Sequence, residues 1–328
     1  MICTYLRSSL LNAFDMCQQR AFIEYGIGRK QPPNKAALQG TCLHAVCETL
    51  ALEKLAEQNK QILFTQEQFG TSKVGFYDSL FYLSKIYPAL DKENPGVFDG
   101  NSYNECLKLV KKMESYNDGM MNPKNANIFG AEVPVNIEIQ KPWATYDFHT
   151  PTQELQGQLT LKGTIDLIVK QGDGVIEVVD YKSGSKTDWA TGKTKDEQSL
   201  YNDTQIRLYH YAACLLFPEI ECVLFSLYFV KFDEVFTIAL DRKHLPETEL
   251  MLQRKFKKIV ECTKPTLSLG FKCRFCPFDK SIEPDGKTTC VSFRDKIIVD
   301  GMPKTMKDNA DFYALTRYGA GGSNRDRE

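Results

Sequence analysis

The sequence has no run of apolar residues long enough to span a bilayer, which excludes a helical membrane protein. It has no excess of charge of either sign. Lys plus Arg number 41 and Asp plus Glu 42, for a net charge of −1. Bulk charge therefore announces no polyanionic partner, and phosphate binding would need a local basic groove. Met1 to Leu11 holds one arginine and no extended apolar core, so it does not read as a signal peptide, and an intracellular protein is expected. Histidine is scarce, at four residues, and no internal repeat is visible. Cysteine is not scarce. Eleven cysteines are an odd number and fit a disulfide framework poorly in a reducing compartment. Some are expected as small apolar core residues and some as metal ligands.

The hydrophobic fraction of 42% and charged fraction of 25% are those of a soluble globular chain. Helical spacing of Leu10, Phe14, Cys17, Ala21 and Tyr25 predicts a helix over 9–25. A second, over 35–63, carries Leu38, Cys42, Ala45, Thr49, Leu52 and Leu55 near one face. Residues 66–125 read as irregular helices without catalytic residues, an insertion or cap. From Ala131 the pattern changes to alternation. Strands are expected over 131–139, 159–170 and 175–181, the last two joined by the turn Gln171-Gly172-Asp173-Gly174. A polar loop over 183–195 precedes a helix from Asp203 to Phe217, stopped by Pro218. Strands over 222–230 and 234–240 and a helix over 245–262 follow. The remainder reads as a cysteine-bearing loop region and a Gly-rich tail. The fold class expected is α/β: a central mixed sheet flanked by helices.

Charged residues stand at the ends of two of these apolar strands, in Gly163-Thr164-Ile165-Asp166 and Asp180-Tyr181-Lys182-Ser183-Gly184. Residues two apart on a strand share a face, so Asp180 and Lys182 point the same way, and Asp166 on the paired strand can lie beside them. Converging carboxylates make a hard-oxygen site suited to Mg²⁺ or Mn²⁺. A neighbouring lysine can orient a water or stabilise charge on a phosphate. Singly, each of these residues reads equally well as a solvated strand end; together they do not.

The run Gly-x-x-Asp then Asp-Tyr-Lys-x-Gly resembles two motifs of the RecB-like branch of the PD-(D/E)XK nucleases. The resemblance implies a restriction-endonuclease-like core, metal ligands at Asp166 and Asp180 with the backbone carbonyl of Tyr181, and a catalytic lysine at Lys182. Many relatives carry Glu where Asp180 stands. Gly40-Thr41-Cys42-Leu43-His44 matches the family's first motif and implies His44 as a further metal ligand, with Glu48 one turn on as a supporting residue. Gln205-Ile206-Arg207-Leu208-Tyr209 matches the Gln-x-x-x-Tyr element after the lysine and implies DNA contacts by Gln205 and Tyr209, continued by Lys186, Lys193 and Lys195. Glu132 reads equally as a surface charge and as a site residue.

Cys273-x-x-Cys276 and Cys290 form a set one ligand short of four, and Cys17 is the best fourth. Cys3, Cys42 and Cys262 are reserves, and Cys214 and Cys222 read as core. The stretch Ser9 to Cys17 resembles the iron–sulfur branch of these nucleases, which includes CRISPR-associated single-strand DNA exonucleases. That implies a 4Fe–4S cluster on Cys17, Cys273, Cys276 and Cys290. Zinc on the same four thiolates is the alternative.

The expected organisation is an N-terminal helix (1–34), a helical region with His44 and an insertion (35–128), the nuclease core (129–242), a C-terminal helix and cysteine cluster (243–303) and a tail (304–328). The expected activity is metal-dependent hydrolysis of DNA, single-stranded and from a 5′ end, in recombination, repair or processing. A helicase or a recombination or integration protein is an expected partner, and no membrane is. The rival reading is a DNA-binding Fe–S assembly subunit of a helicase–nuclease or integration complex. The intact Asp166, Asp180 and Lys182 argue against it.

Overall fold

The computed structural model of this chain describes residues 1–29, 33–60, 78–149, 154–187 and 194–310. In chain order the elements are β1 (Tyr5–Leu6), α1 (Ser8–Met16), α2 (Gln18–Ala21), α3 (Lys35–Gln58), α4 (Ser79–Glu93), α5 (Ser102–Ser115), β2 (Ile128–Glu138), β3 (Thr145–His149) and β4 (Glu154–Gln158). They continue with β5 (Thr160–Gly172), β6 (Val175–Lys182), α6 (Glu197–Tyr201), α7 (Thr204–Leu216), β7 (Cys222–Phe229), β8 (Glu234–Asp241), α8 (Leu245–Val260) and α9 (Thr289–Asn309). Among the described residues no helix is long and apolar enough to cross a membrane.

Five strands run in the order β1-β5-β6-β7-β8, and β2 lies along the other edge of β5. The β2–β5, β5–β6 and β7–β8 pairs are antiparallel, whereas β1–β5 and β6–β7 are parallel, so the sheet is mixed. A parallel pair needs a crossover, and α6 and α7 supply it between β6 and β7. The turn between β5 and β6 closes on Gly174, whose φ of 70° lies in the left-handed region that glycine tolerates.

Two cores sandwich this sheet. Ile165, Val178, Phe225 and Leu227 join Leu10, Phe14, Leu208, Tyr211 and Leu252 from α1, α7 and α8. Leu167, Val179, Tyr181 and Tyr228 join Val46, Leu50, Tyr82 and Val110 from α3, α4 and α5. Region 66–125 is therefore no appendage where it is described: α4 and α5 build the layer over α3. The buried face of α3 keeps Leu38 and Cys42 of the expected stripe but continues through Leu43, Val46 and Leu50, leaving Ala45, Thr49, Leu52 and Leu55 half-buried. Ala45, small enough for a cleft wall, faces the site instead.

Other expectations are corrected. The helix over 9–25 breaks at Cys17, whose extended backbone (φ −164°, ψ 113°) separates α1 from α2. A tertiary contact holds the break: Gln18 accepts hydrogen bonds from the Thr266 amide (3.0 Å) and hydroxyl (2.8 Å), and the Gln19 amide donates to the Thr266 carbonyl (3.2 Å). The cysteine-bearing C-terminal region holds α9, kinked at Gly301. Strand β1 and the β3–β4 ribbon are too short to show as alternation. The Gly-rich tail lies outside the described residues.

Candidate metal-dependent active site

The site stands where β5 and β6 part. Pairing of β5 with β6 ends at Leu167–Val179, and β1 pairs only with Thr160 and Leu161. The edge of β5 from Lys162 to Asp166 thus faces no strand on that side, while Asp180, Tyr181 and Lys182 continue along β7. Helices α3 and α7 close on this fork from its two sides.

His44, Asp166 and Asp180 converge there. One ligand atom from each lies within 4.8 Å of the others, the one such group among the described residues. His44 Nδ1 is 3.1 Å from Asp166 Oδ2. Burial alone would lower the His44 pKa, but the hydrogen bond and charge of Asp166, with Asp180 beyond, outweigh it and raise it to about 9. Lys182 Nζ lies 2.5 Å from Asp180 and donates to Gln205 Oε1 at 3.1 Å. Burial works against its charge too, yet Asp180 and then Asp166 and Asp203 raise its pKa overall, so Lys182 is an ammonium ion here. Both protons answer the charge of the two carboxylates, and His44 would release its proton to ligate a cation. The donor set of one imidazole and two carboxylates fits Mg²⁺ or Mn²⁺.

Local structure fixes these side chains. Asp203 caps α7, accepting from the Gln205 amide at 2.8 Å, which starts the helix with Gln205 facing Lys182. The Tyr209 hydroxyl donates to the Thr164 carbonyl at 2.8 Å. Thr164 lies in the 162–166 stretch of β5 that pairs with β2 alone. A Cβ on Gly163 would approach the Tyr209 ring at 3.4 Å, and one on Gly40 would stand 2.8 Å from Ser183 Oγ. Glycine in α3 lets the helix settle against the residue after the lysine.

An open cleft reaches the fork, lined by Gly40, His44, Glu48, Glu132, Asp166 and Ser183. Glu132 has φ 48°, a left-handed conformation inside a strand. Such strain costs about 1–3 kcal/mol and gathers at functional sites. Register places Glu132 between Ala131–Leu167 and Val133–Ile165, opposite Asp166. The sequence carries no sign of this strain, and Ser183 escapes sequence reasoning because it has no charge. The Tyr181 side chain points away from the fork, its hydroxyl donating to the Met121 carbonyl at 2.9 Å. Lys186 is held by Glu234 at 2.7 and 2.8 Å and Lys195 by Asp203 at 3.2 Å; Lys193 lies outside the described residues.

A second constellation joins the chain ends. Cys17, Cys273, Cys276 and Cys290 line one pocket with Arg20 and Phe278. Burial, reinforced by the other three sulfurs and Asp279, pushes the Cys290 thiol up to about 11, and burial also raises Cys276. No three of the four sulfurs come within 4.8 Å of one another. Cys3, Cys42, Cys214 and Cys262 are buried outside that pocket's lining, Cys3 donating to the Tyr5 carbonyl and Cys262 to Gln18 Oε1, and Cys222, expected in the core, is only half-buried.

Fold and fork together define a class: a mixed α/β protein in which an imidazole, two carboxylates and a lysine that could serve a divalent metal gather at a strand fork. The sequence matches the PD-(D/E)XK nuclease superfamily over residues 8–281, and the chain belongs to that superfamily. No curated protein matches it. Among solved structures, a protein from Eubacterium rectale described as "Putative exonuclease" superposes with a TM-score of 0.51 at 15% identity, covering 83% of this chain and 88% of its own. A second, SSO0001, aligns over 74% of this chain and 97% of its own at 13% identity, with a TM-score of 0.27.

Proposed function

We propose that this chain is a metal-dependent exodeoxyribonuclease of RecB-like type that hydrolyses single-stranded DNA, with a 5′ end favoured, in recombination, repair or processing. The observation that carries the reading is the convergence of His44, Asp166 and Asp180 with Lys182 at the fork. His44, Asp166 and Asp180, with the Tyr181 backbone carbonyl, would hold Mg²⁺ or Mn²⁺. When bound, the cation supplies Lewis acidity, acidifying a water and screening phosphate charge.

The protein's own groups do the rest. The Lys182 ammonium donates to the attacking water or to a phosphate oxygen, and Gln205 holds Lys182 in place. Protonation suits Lys182 to orientation and charge stabilisation rather than proton abstraction. Tyr209 keeps the β5 edge in register beside Asp166 and offers a ring to a base. Glu132 and Glu48 border the cleft as supporting carboxylates.

The four cysteines would hold a 4Fe–4S cluster. That all four line one pocket supports a shared group, with Zn²⁺ the alternative to the cluster, and a cluster would lock α2, α9 and the 266–276 segment together. The proposed setting is the cytoplasm, with a helicase or a recombination or integration protein as partner.

The test is degradation of end-labelled single-stranded DNA by anaerobically purified protein with Mn²⁺, alongside Lys182→Ala. Cleavage by the wild type alone supports the reading, and the labelled products give polarity. Binding without cleavage by both proteins would favour the assembly-subunit alternative.

A further inference from the structure

Beyond the fork, β5 carries a cation with no evident structural task. Lys162 is only 8% exposed, its stem packed in and its ammonium reaching the surface, and among the described residues no carboxylate or hydrogen-bond acceptor partners that ammonium. Its pKa is lowered, first by burial and then by the positive charge of Arg7. Arg7 follows β1 one position past the Leu6–Leu161 pair, so parallel register sets it next to Lys162. The Lys162 ammonium, which reaches the surface, stands beside a second positive charge with no acceptor of its own among the described residues. An arriving anion would give this ammonium a counter-charge.

The sheet face tells where that anion would lie. Leu161 and Ile165 belong to the core beneath α1 and α7, and Gly163 packs against Tyr209 of α7. Lys162, Thr164 and Asp166 alternate with them and take the other face, that of His44. On the paired β2 strand, Asn136 stands opposite Lys162 and Pro134 opposite Thr164. Asn136, Pro134 and Thr164 are all exposed, so a track on this face runs outward from Asp166 to Lys162. Four residues of strand cover about 13 Å, a span of a very few nucleotides.

We propose that Lys162, with Arg7 beside it, is a phosphate subsite that grips the nucleic-acid backbone a few nucleotides from the bond that is cut. The inference rests on the nuclease reading and deepens it: the ligand is a phosphodiester of the substrate strand, and the subsite sets affinity and register rather than chemistry. Phosphate contacts position a strand without reading its sequence, so the effect is independent of base composition.

The experiment measures binding of a single-stranded oligonucleotide across a salt series, with Ca²⁺ in place of Mn²⁺, for wild type, Lys162→Met and Lys162→Arg, with cleavage and thermal melting of each. Each phosphate contact on a single strand contributes about 0.7 to the slope of log K against log salt. Lys162→Met is expected to lose about that much slope and to weaken binding several-fold, with kcat at saturation unchanged. It should melt no lower than wild type, since a cation without an acceptor beside Arg7 is removed while the apolar stem is kept. Lys162→Arg should keep the slope. If wild type binds and cuts but Lys162→Met keeps its slope and affinity, or melts lower with only a parallel loss of all activity, the subsite is overturned and the nuclease reading stands. If wild type neither binds nor cuts, the nuclease reading falls and the subsite falls with it.

Discussion

Lys182 keeps its proton because Asp180 touches it and Asp166 and Asp203 lie near, although burial favours the neutral amine. Its role is thus to donate, and a neutral donor of similar reach should do part of the work. Lys182→Gln is expected to retain more activity than Lys182→Ala, which should lose about 10²–10³-fold in kcat with DNA binding intact; steady-state rates paired with binding measurements check this. At Gly40 two effects oppose each other. Alanine gains up to about 1 kcal/mol of helix propensity, but its Cβ would stand 2.8 Å from Ser183 Oγ, beside Lys182. Gly40→Ala should therefore keep or raise its melting temperature while activity falls several-fold. A variant that melts lower and cuts normally would show that this close approach serves packing alone.

At the scale of elements, α7 joins the fork to the rest of the molecule. Its outward residues meet the site through Gln205 and Tyr209, and its inward residues meet α6 and α8. Arg207 donates to the Tyr201 carbonyl at 2.8 Å, to Thr248 at 3.1 Å and to Glu247 at 3.0 Å, and buried His210 Nδ1 lies 3.1 Å from the same Thr248 hydroxyl. Burial depresses the His210 pKa from 6.5 to about 4. The unfolded chain binds a proton below about pH 6.5 that the folded one refuses until about pH 4. His210 therefore costs no stability above that window, and about 3 kcal/mol is lost as pH falls through it. Urea unfolding at pH 7 and pH 4.5 should show a smaller drop for His210→Asn than for wild type; equal drops would contradict the assignment. The strands and α7 were legible because alternation, the Gly174 turn and the Asp203 cap are local signals. The fork was legible through its charged strand ends. Strain at Glu132, the break at Cys17 and the partnerless Lys162 were not, since each depends on what another segment brings beside it.

At the scale of the whole molecule, the chain closes on itself twice. The N-terminal β1 pairs with the central β5, and Cys17 meets the C-terminal cysteines around one pocket. Anaerobically purified protein is expected to carry four irons per chain, and Cys290→Ser to lose them and melt several degrees lower; metal analysis finding one zinc and no iron would replace the cluster with a zinc site. Such a tie lies on the far side of the sheet's core from α3 and shapes the site only through the fold. The proposed function depends above all on the metal site at the fork. Its most direct test is the rate of single-stranded DNA cleavage as Mn²⁺ is titrated into wild type, Asp166→Asn and Asp180→Asn. Saturable, chelator-sensitive cleavage by wild type and none by either variant is the predicted result. Cleavage that persists in excess chelator, or in both variants, would contradict it.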